Sequence, residues 1–301
     1  MLGMRSAMLV LAALGAMAGA VPAAAQPRPI APGTQVEWSA DKAPRPVTYR
    51  SGDLMIEVRP LRDGENAAPQ VTVSGPGFRP VTITGSSIWS SATHRIGAGR
   101  LDPRGRRYVE LQSFSGGAHC CNEVQLVVIG QEGARRLELG AWDGEPGDAP
   151  RDVDGDGFTD FVQRDDRFLY AFASYAGSLA PPQILNVVDG RVVDVSARAG
   201  FRPLFVEAVN FARPYCLGRD AQGEPNGACA AYVAAAARIG QFDAAWAKML
   251  RTYDRRSDWE YPTGCRLPLR SGECPRGATI RYRGYPDALR AFLVRSGYIA
   301  R

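Results

Sequence analysis

The stretch Asp152-Val153-Asp154-Gly155-Asp156-Gly157-Phe158-Thr159-Asp160 constrains this chain more than any other. Carboxylates stand at its first, third, fifth and ninth positions, and Gly157 sits where the chain must turn sharply. A hard cation such as Ca²⁺ takes six to eight oxygen ligands at about 2.3–2.6 Å, and carboxylates at alternate positions of a tight loop supply them. The spacing predicts Asp152, Asp154, Asp156 and Asp160 as ligands, with the backbone carbonyl of Phe158 at the seventh position. Without a cation, four like charges would crowd together and loosen the loop. The competing reading is an ordinary Asp-Gly surface turn.

The loop departs from the EF-hand pattern. That motif asks for Glu at position 12, where this chain has Gln163, so the bidentate ligand is weakened or replaced. Asp165 and Asp166 are the nearby substitutes. The residues from Phe158 to Gln163 also read as a strand, where an EF-hand needs a helix.

The N-terminus reads as an export signal: Met1 to Arg5 is positive, Ala7 to Ala20 is apolar, and Ala23-Ala24-Ala25 offers a small-x-small cleavage site before Gln26. The apolar run is too short to span a membrane, and nothing else approaches that length. The expected location is the periplasm or the exterior. Six cysteines agree with an oxidising compartment: Cys120, Cys121, Cys216, Cys229, Cys265 and Cys274. Sequence proximity pairs Cys216 with Cys229 and Cys265 with Cys274. The adjacent Cys120 and Cys121 either bridge each other or reach elsewhere. No CxxC occurs, which excludes the usual zinc and dithiol oxidoreductase patterns.

The net charge of +5 is carried mostly by arginine, since Lys42 and Lys248 are the only lysines. No nucleic-acid motif accompanies it. The charge is uneven. Residues 141–166 carry nine acids against Arg151 and Arg164, a net of −7, while residues 201–301 carry sixteen bases and nine acids, a net of +7. The blander reading is that the two regions attract each other.

The chain divides into a signal peptide (1–25), a flexible Pro-rich lead-in (26–35), a β domain (36–199) and a small helical domain (200–301). Runs rich in β-branched residues predict strands at Leu54–Arg59, Gln70–Ser74, Val81–Thr84, Tyr108–Gln112 and Val124–Ile129. From Gly200 onward the character changes. Ala228–Ile239 is alanine-rich and stopped by Gly240, Phe242–Tyr253 carries an apolar stripe at helical spacing, and Pro286 opens a further helix. The fold class expected is mainly β, in antiparallel hairpins, with a disulfide-bonded α-helical C-terminal domain.

A degenerate internal repeat lies in the β domain. Asp102–Glu110 aligns with Asp154–Val162 at an offset of 154 − 102 = 52, Ser113–Gly117 aligns with Ser174–Ser178, and Val127–Gly130 aligns with Val187–Gly190. The first copy has Arg104 and Tyr108 where the second has Asp156 and Asp160, so only the second carries metal chemistry. On Asp152–Val162 the second copy resembles an FG-GAP repeat, the integrin-α-type hairpin unit, and is close to the VCBS-type repeats of secreted bacterial proteins. The resemblance implies a calcium loop between strands, with Asp152, Asp154, Asp156, the Phe158 carbonyl and Asp160 as ligands. Two copies are too few for a closed propeller. The stretch Ser115–Cys121 resembles uncharacterised exported bacterial proteins.

His119, beside Cys120 and Cys121, is the best catalytic candidate, although export favours oxidised sulfur. No P-loop, GxGxxG or G-x-S-x-G is present. Two functions follow. The first is an exported calcium-binding interaction module with an unidentified protein or glycan partner, no nucleic acid and no membrane span. The alternative is an exported hydrolase with a site near His119, which predicts a cleft containing His119 or acids near Asp143, Asp165 and Asp166.

Overall fold

The computed structural model describes residues 26–144, 147–218 and 224–300, and the expected signal peptide lies outside them. Strands β1 (Arg28–Pro29), β2 (Thr34–Trp38), β3 (Val47–Ser51), β4 (Leu54–Asp63), β5 (Asn66–Ser74), β6 (Val81–Thr84), β7 (Ile88–Trp89) and β8 (His94–Arg100) are followed by β9 (Arg107–Phe114), β10 (Asn122–Gly130) and β11 (Gly133–Trp142). They form two sheets, ordered β1-β3-β4-β5-β6, with β7 also on β5, and β11-β10-β9-β8-β2. The stretch expected as a flexible lead-in is tied down: Arg28–Pro29 pairs in parallel with β3, and Ile30 is buried.

The two sheets pack face to face around Ile56, Val58, Val71, Val73, Ile96, Val109, Leu111, Val127 and Ile129. Alternation along β9 and β10 sends Tyr108, Val124, Leu126 and Val128 to the opposite face of the second sheet. That face is also covered, which is why β10 reads as a nearly unbroken apolar run. Its cover is a third sheet, β12 (Phe161–Arg164), β13 (Pro182–Val188) and β14 (Arg191–Asp194), contributing Phe161, Leu185 and Val187. The aligned segments, which end at Gly130 and Gly190, hold the antiparallel pairs β9-β10 and β12-β13, although Ser174–Ser178, aligned with the end of β9, lies outside any strand.

The C-terminal region is helical: α1 (Arg202–Leu217), α2 (Pro225–Arg238), α3 (Phe242–Thr252) and, after the small β15–β16 ladder (Gly264–Cys265, Thr279–Ile280), α4 (Tyr285–Arg295). The alanine run makes α2 small on every side, so its neighbours approach closely and Ala228–Ala236 is buried throughout. Helix α1 carries Pro203 in its first turn, where no intrahelical N–H is lost, and Pro214 inside. Disulfide Cys216–Cys229 ties α1 to α2, and Cys265–Cys274 closes a second short loop. The helical core extends into the third sheet: Phe168, Phe172 and Ile184 pack with Phe205, Val233, Tyr285 and Phe292. Phe168 meets Phe292 edge-on at 4.9 Å between ring centroids. Among the described residues, no helix is long and apolar enough to cross a membrane.

Candidate functional site

The acidic loop sits at the junction of these parts. Gly155 and Gly157 take φ of +81° and +84°, the left-handed region that residues with a Cβ avoid, so the chain can double back twice in three residues. The aspartates shape the turn with their own side chains. Asp152 accepts the Gly155 N–H at 2.7 Å and the Gly157 N–H at 2.9 Å, and Asp156 accepts the Phe158 N–H at 2.8 Å. Asp152, Asp154 and Asp156 each offer an oxygen, all within 4.8 Å of one another. Oxygens ligating one ion at about 2.4 Å can stand no further apart than about 4.8 Å, so this all-oxygen set fits a hard cation.

Asp160 is placed differently. Its side chain is buried, with one oxygen accepting the Val153 N–H at 2.8 Å and the other accepting Asn186 Nδ2–H at 2.6 Å. Burial raises its carboxyl above the usual range, and the neighbouring Asp154 and Asp156 push the same way. The structure therefore gathers three of the four predicted carboxylates and turns the fourth inward as an anchor. The Phe158 N–H serves the turn, as above. Gln163 and Asp165 do not join the group: Gln163 lines a cleft, and the buried Asp165 pairs with Arg167 and accepts from the Tyr298 hydroxyl at 3.0 Å.

Three neighbours hold the loop. Pro103, from the turn that aligns with it in the repeat, packs on Gly157, and Thr159 N–H donates to Leu101 O at 3.0 Å. Arg198 reaches Asp156 at 2.7 Å, and a Cβ on Gly200 would stand 2.5 Å from that of Asp154. The loop thus joins the second sheet, the third sheet and the entrance to α1. Asn186 and Arg198 carry no local sequence signal, because they lie 26 and 42 residues from their aspartate partners.

His119 lies in the loop joining β9 to β10, beside a cleft of about 1330 Å³. Cys120 and Cys121 are bonded to each other, so neither is a free thiol. His119 Nδ1 lies 2.8 and 2.9 Å from the two oxygens of Asp143, and Nε2 lies 2.9 Å from the Tyr170 hydroxyl. Tyr175 stacks on the imidazole at 4.0 Å. Asp166 accepts the Asp143 backbone N–H, and burial raises its own carboxyl above the usual range. The cleft expected near His119 and Asp143 is present, but sequence reasoning did not find Tyr170 or Tyr175.

Behind the cleft a polar line is sealed into the second sheet. Glu110 is fully buried and accepts from Gln35 at 2.8 Å and Gln112 at 2.9 Å; burial pushes its carboxyl up to about 7. His94 is buried against Trp38, with Nδ1 3.0 Å from Ser113 Oγ, and burial lowers it to about 4.

The fold and site define a class: a two-sheet β protein with a third sheet, an acidic turn and a disulfide-bonded helical region. The helical region, residues 213–297, matches the family model described as the sll0997 C-terminal domain. The chain is 43% identical over 196 residues to the probable thylakoid lumen protein sll0997 of Synechocystis sp., covering 64% of this chain and 56% of that protein. It is 32% identical over 270 residues to the uncharacterized protein y4bJ of Sinorhizobium fredii, covering 87% of this chain and 42% of that one. The chain thus spans about half the length of these relatives. No solved structure matches.

Proposed function

We propose that the chain is an exported calcium-binding interaction module, in which Ca²⁺ at Asp152, Asp154 and Asp156 fixes the turn joining the β sheets to the helical region. The observation that carries this reading is the convergence of three carboxylates within 4.8 Å on a turn held by Gly155 and Gly157. Backbone carbonyls and water complete the ion's oxygen shell. The Arg198 guanidinium is the competing countercharge. The ion relieves repulsion within the triad and stiffens the contacts to Pro103, Asn186 and Arg198, so the partner-binding surface of both regions keeps one geometry. Export is supported by the N-terminal pattern, the disulfides and the lumenal name of the Synechocystis relative.

Titration calorimetry of the mature chain tests this reading. Extracellular modules bind with Kd of about 10⁻⁴–10⁻³ M. Ca²⁺ at ten- to hundredfold excess over Kd should add about 1.4–2.7 kcal/mol. Asp154→Ala/Asp156→Ala should lose both the heat and the rise in Tm. If wild type gives neither, Arg198 alone neutralises the loop and the calcium reading fails.

A further inference from the structure

His119 and Asp143, which line the cleft, and Tyr170 beside them hold a second chemistry, unrelated to the acidic loop. A carboxylate only accepts hydrogen bonds, so the His119 nitrogen facing Asp143 carries the proton. The neutral imidazole then presents a lone pair on Nε2, and the Tyr170 hydroxyl donates to it at 2.9 Å. This order of orienting acid, base and hydroxyl is the logic by which a hydroxyl becomes a nucleophile. The ring cannot easily swing away, because Tyr175 stacks on it at 4.0 Å.

Tyr170 is also placed at a cost. Its φ is +57°, a left-handed backbone that a bulky L-residue rarely adopts. The backbone is pinned on both sides: its N–H donates to Ser178 Oγ at 3.1 Å, and its carbonyl accepts Trp259 Nε1–H at 3.1 Å. Strained non-glycine residues persist where the surroundings over-determine them, and functional sites are where they cluster.

We propose that Asp143, His119 and Tyr170 form a catalytic relay in which the Tyr170 phenol, beside the cleft that His119 and Asp143 line, is the nucleophile toward an uncharged aryl ester. The Tyr170 oxygen bonds to the acyl carbon as its proton passes to His119 Nε2. The imidazolium formed is balanced by Asp143 and returns the proton to the departing phenol. Water then cleaves the tyrosyl ester, with His119 again holding the proton. A phenoxide leaves more readily than an alkoxide, so the intermediate turns over. By the same ordering, acylation by an amide or by an alkyl ester would run uphill, so the substrate is an aryl ester, whose leaving group is itself a phenol.

The lining agrees with an uncharged substrate. Glu37, Asp143, Asp148 and Glu207 stand against Arg95 and Arg164, a balance hostile to phosphate or carboxylate. Desolvation of the phenol and the Asp143 charge raise Tyr170 above the usual range.

An arylsulfonyl fluoride tests the relay without knowledge of the substrate: an O–S bond forms at Tyr170, fluoride leaves and His119 takes the proton. Tyr215 is an internal control in the same molecule, being 51% exposed against 47% for Tyr170. Peptide mapping of the full chain should show Tyr170 labelled at least tenfold faster than Tyr215. His119→Asn and Asp143→Asn should bring Tyr170 down to the Tyr215 rate without moving the latter, which shows that the fold survives. Wild type should also release a stoichiometric burst from para-nitrophenyl acetate that Tyr170→Phe lacks. Equal labelling of the two tyrosines in wild type, or a Tyr170 rate unmoved by His119→Asn, would mean that the bond only pins the loop and would overturn the proposal.

Discussion

Glu110→Gln is the perturbation whose magnitude the structure fixes best. Glu110 has no exposed surface, and its two oxygens accept from Gln35 and Gln112, with Arg95 as the cation that offsets part of its burial. Its folded-state titration lies at about 7, against an ordinary 4.5. A carboxyl raised in this way contributes most to stability below about 4.5 and loses that contribution as pH climbs through about 7. The gap of 7 − 4.5, at 1.36 kcal/mol per pH unit, is about 3 kcal/mol. Urea unfolding of wild type and Glu110→Gln should therefore be compared between pH 4.5 and 8. The variant should gain about 3 kcal/mol relative to wild type across that window, on top of a constant loss of about 1 kcal/mol for the donor that now faces a donor. His94 runs the other way. Its titration falls from 6.5 to about 4, so its contribution is present above about 6.5 and is lost as pH falls toward 4. The two groups oppose each other, and wild type should show a flatter profile than either Glu110→Gln or His94→Asn. A Glu110→Gln difference that stays constant with pH would refute the assignment of Glu110 as a buried acid charged only above neutrality.

Two further outcomes follow from packing and covalent links. Replacing Cys216 and Cys229 together by Ala frees a link across 13 residues and should cost about 3 kcal/mol, read as a lower urea midpoint. Phe168→Ala should cost about 3–5 kcal/mol, because the ring is fully buried between the third sheet and α4 and its cavity cannot collapse against Phe292 and Tyr298; a loss under about 1 kcal/mol would mean that the helical region does not share that core.

The local chemistry was legible in the chain. Alternating β-branched runs gave β4, β5, β6, β9 and β10, because a strand's side-chain period is two and needs no distant partner to be read. The alanine run and the stripe from Phe242 gave α2 and α3, and short spacing paired the four C-terminal cysteines. Helix α1 was missed because Pro203 and Pro214 disrupt its pattern, although burial of Phe205, Val209 and Ala212 sustains it. The lead-in looked flexible because Pro-rich composition hides a two-residue pairing with β3 that only the tertiary fold supplies.

The Asp-Gly spacing by itself determined the turn and three converging carboxylates, since these arise within one short loop. Only the tertiary structure decided that Asp160 faces Asn186, that Asp156 meets Arg198, and that His119 is hydrogen-bonded to Asp143 on one side and Tyr170 on the other. Those partners are 24 to 51 residues apart, and nothing in a side chain's own neighbourhood encodes which distant residue folding will bring within 3 Å of it.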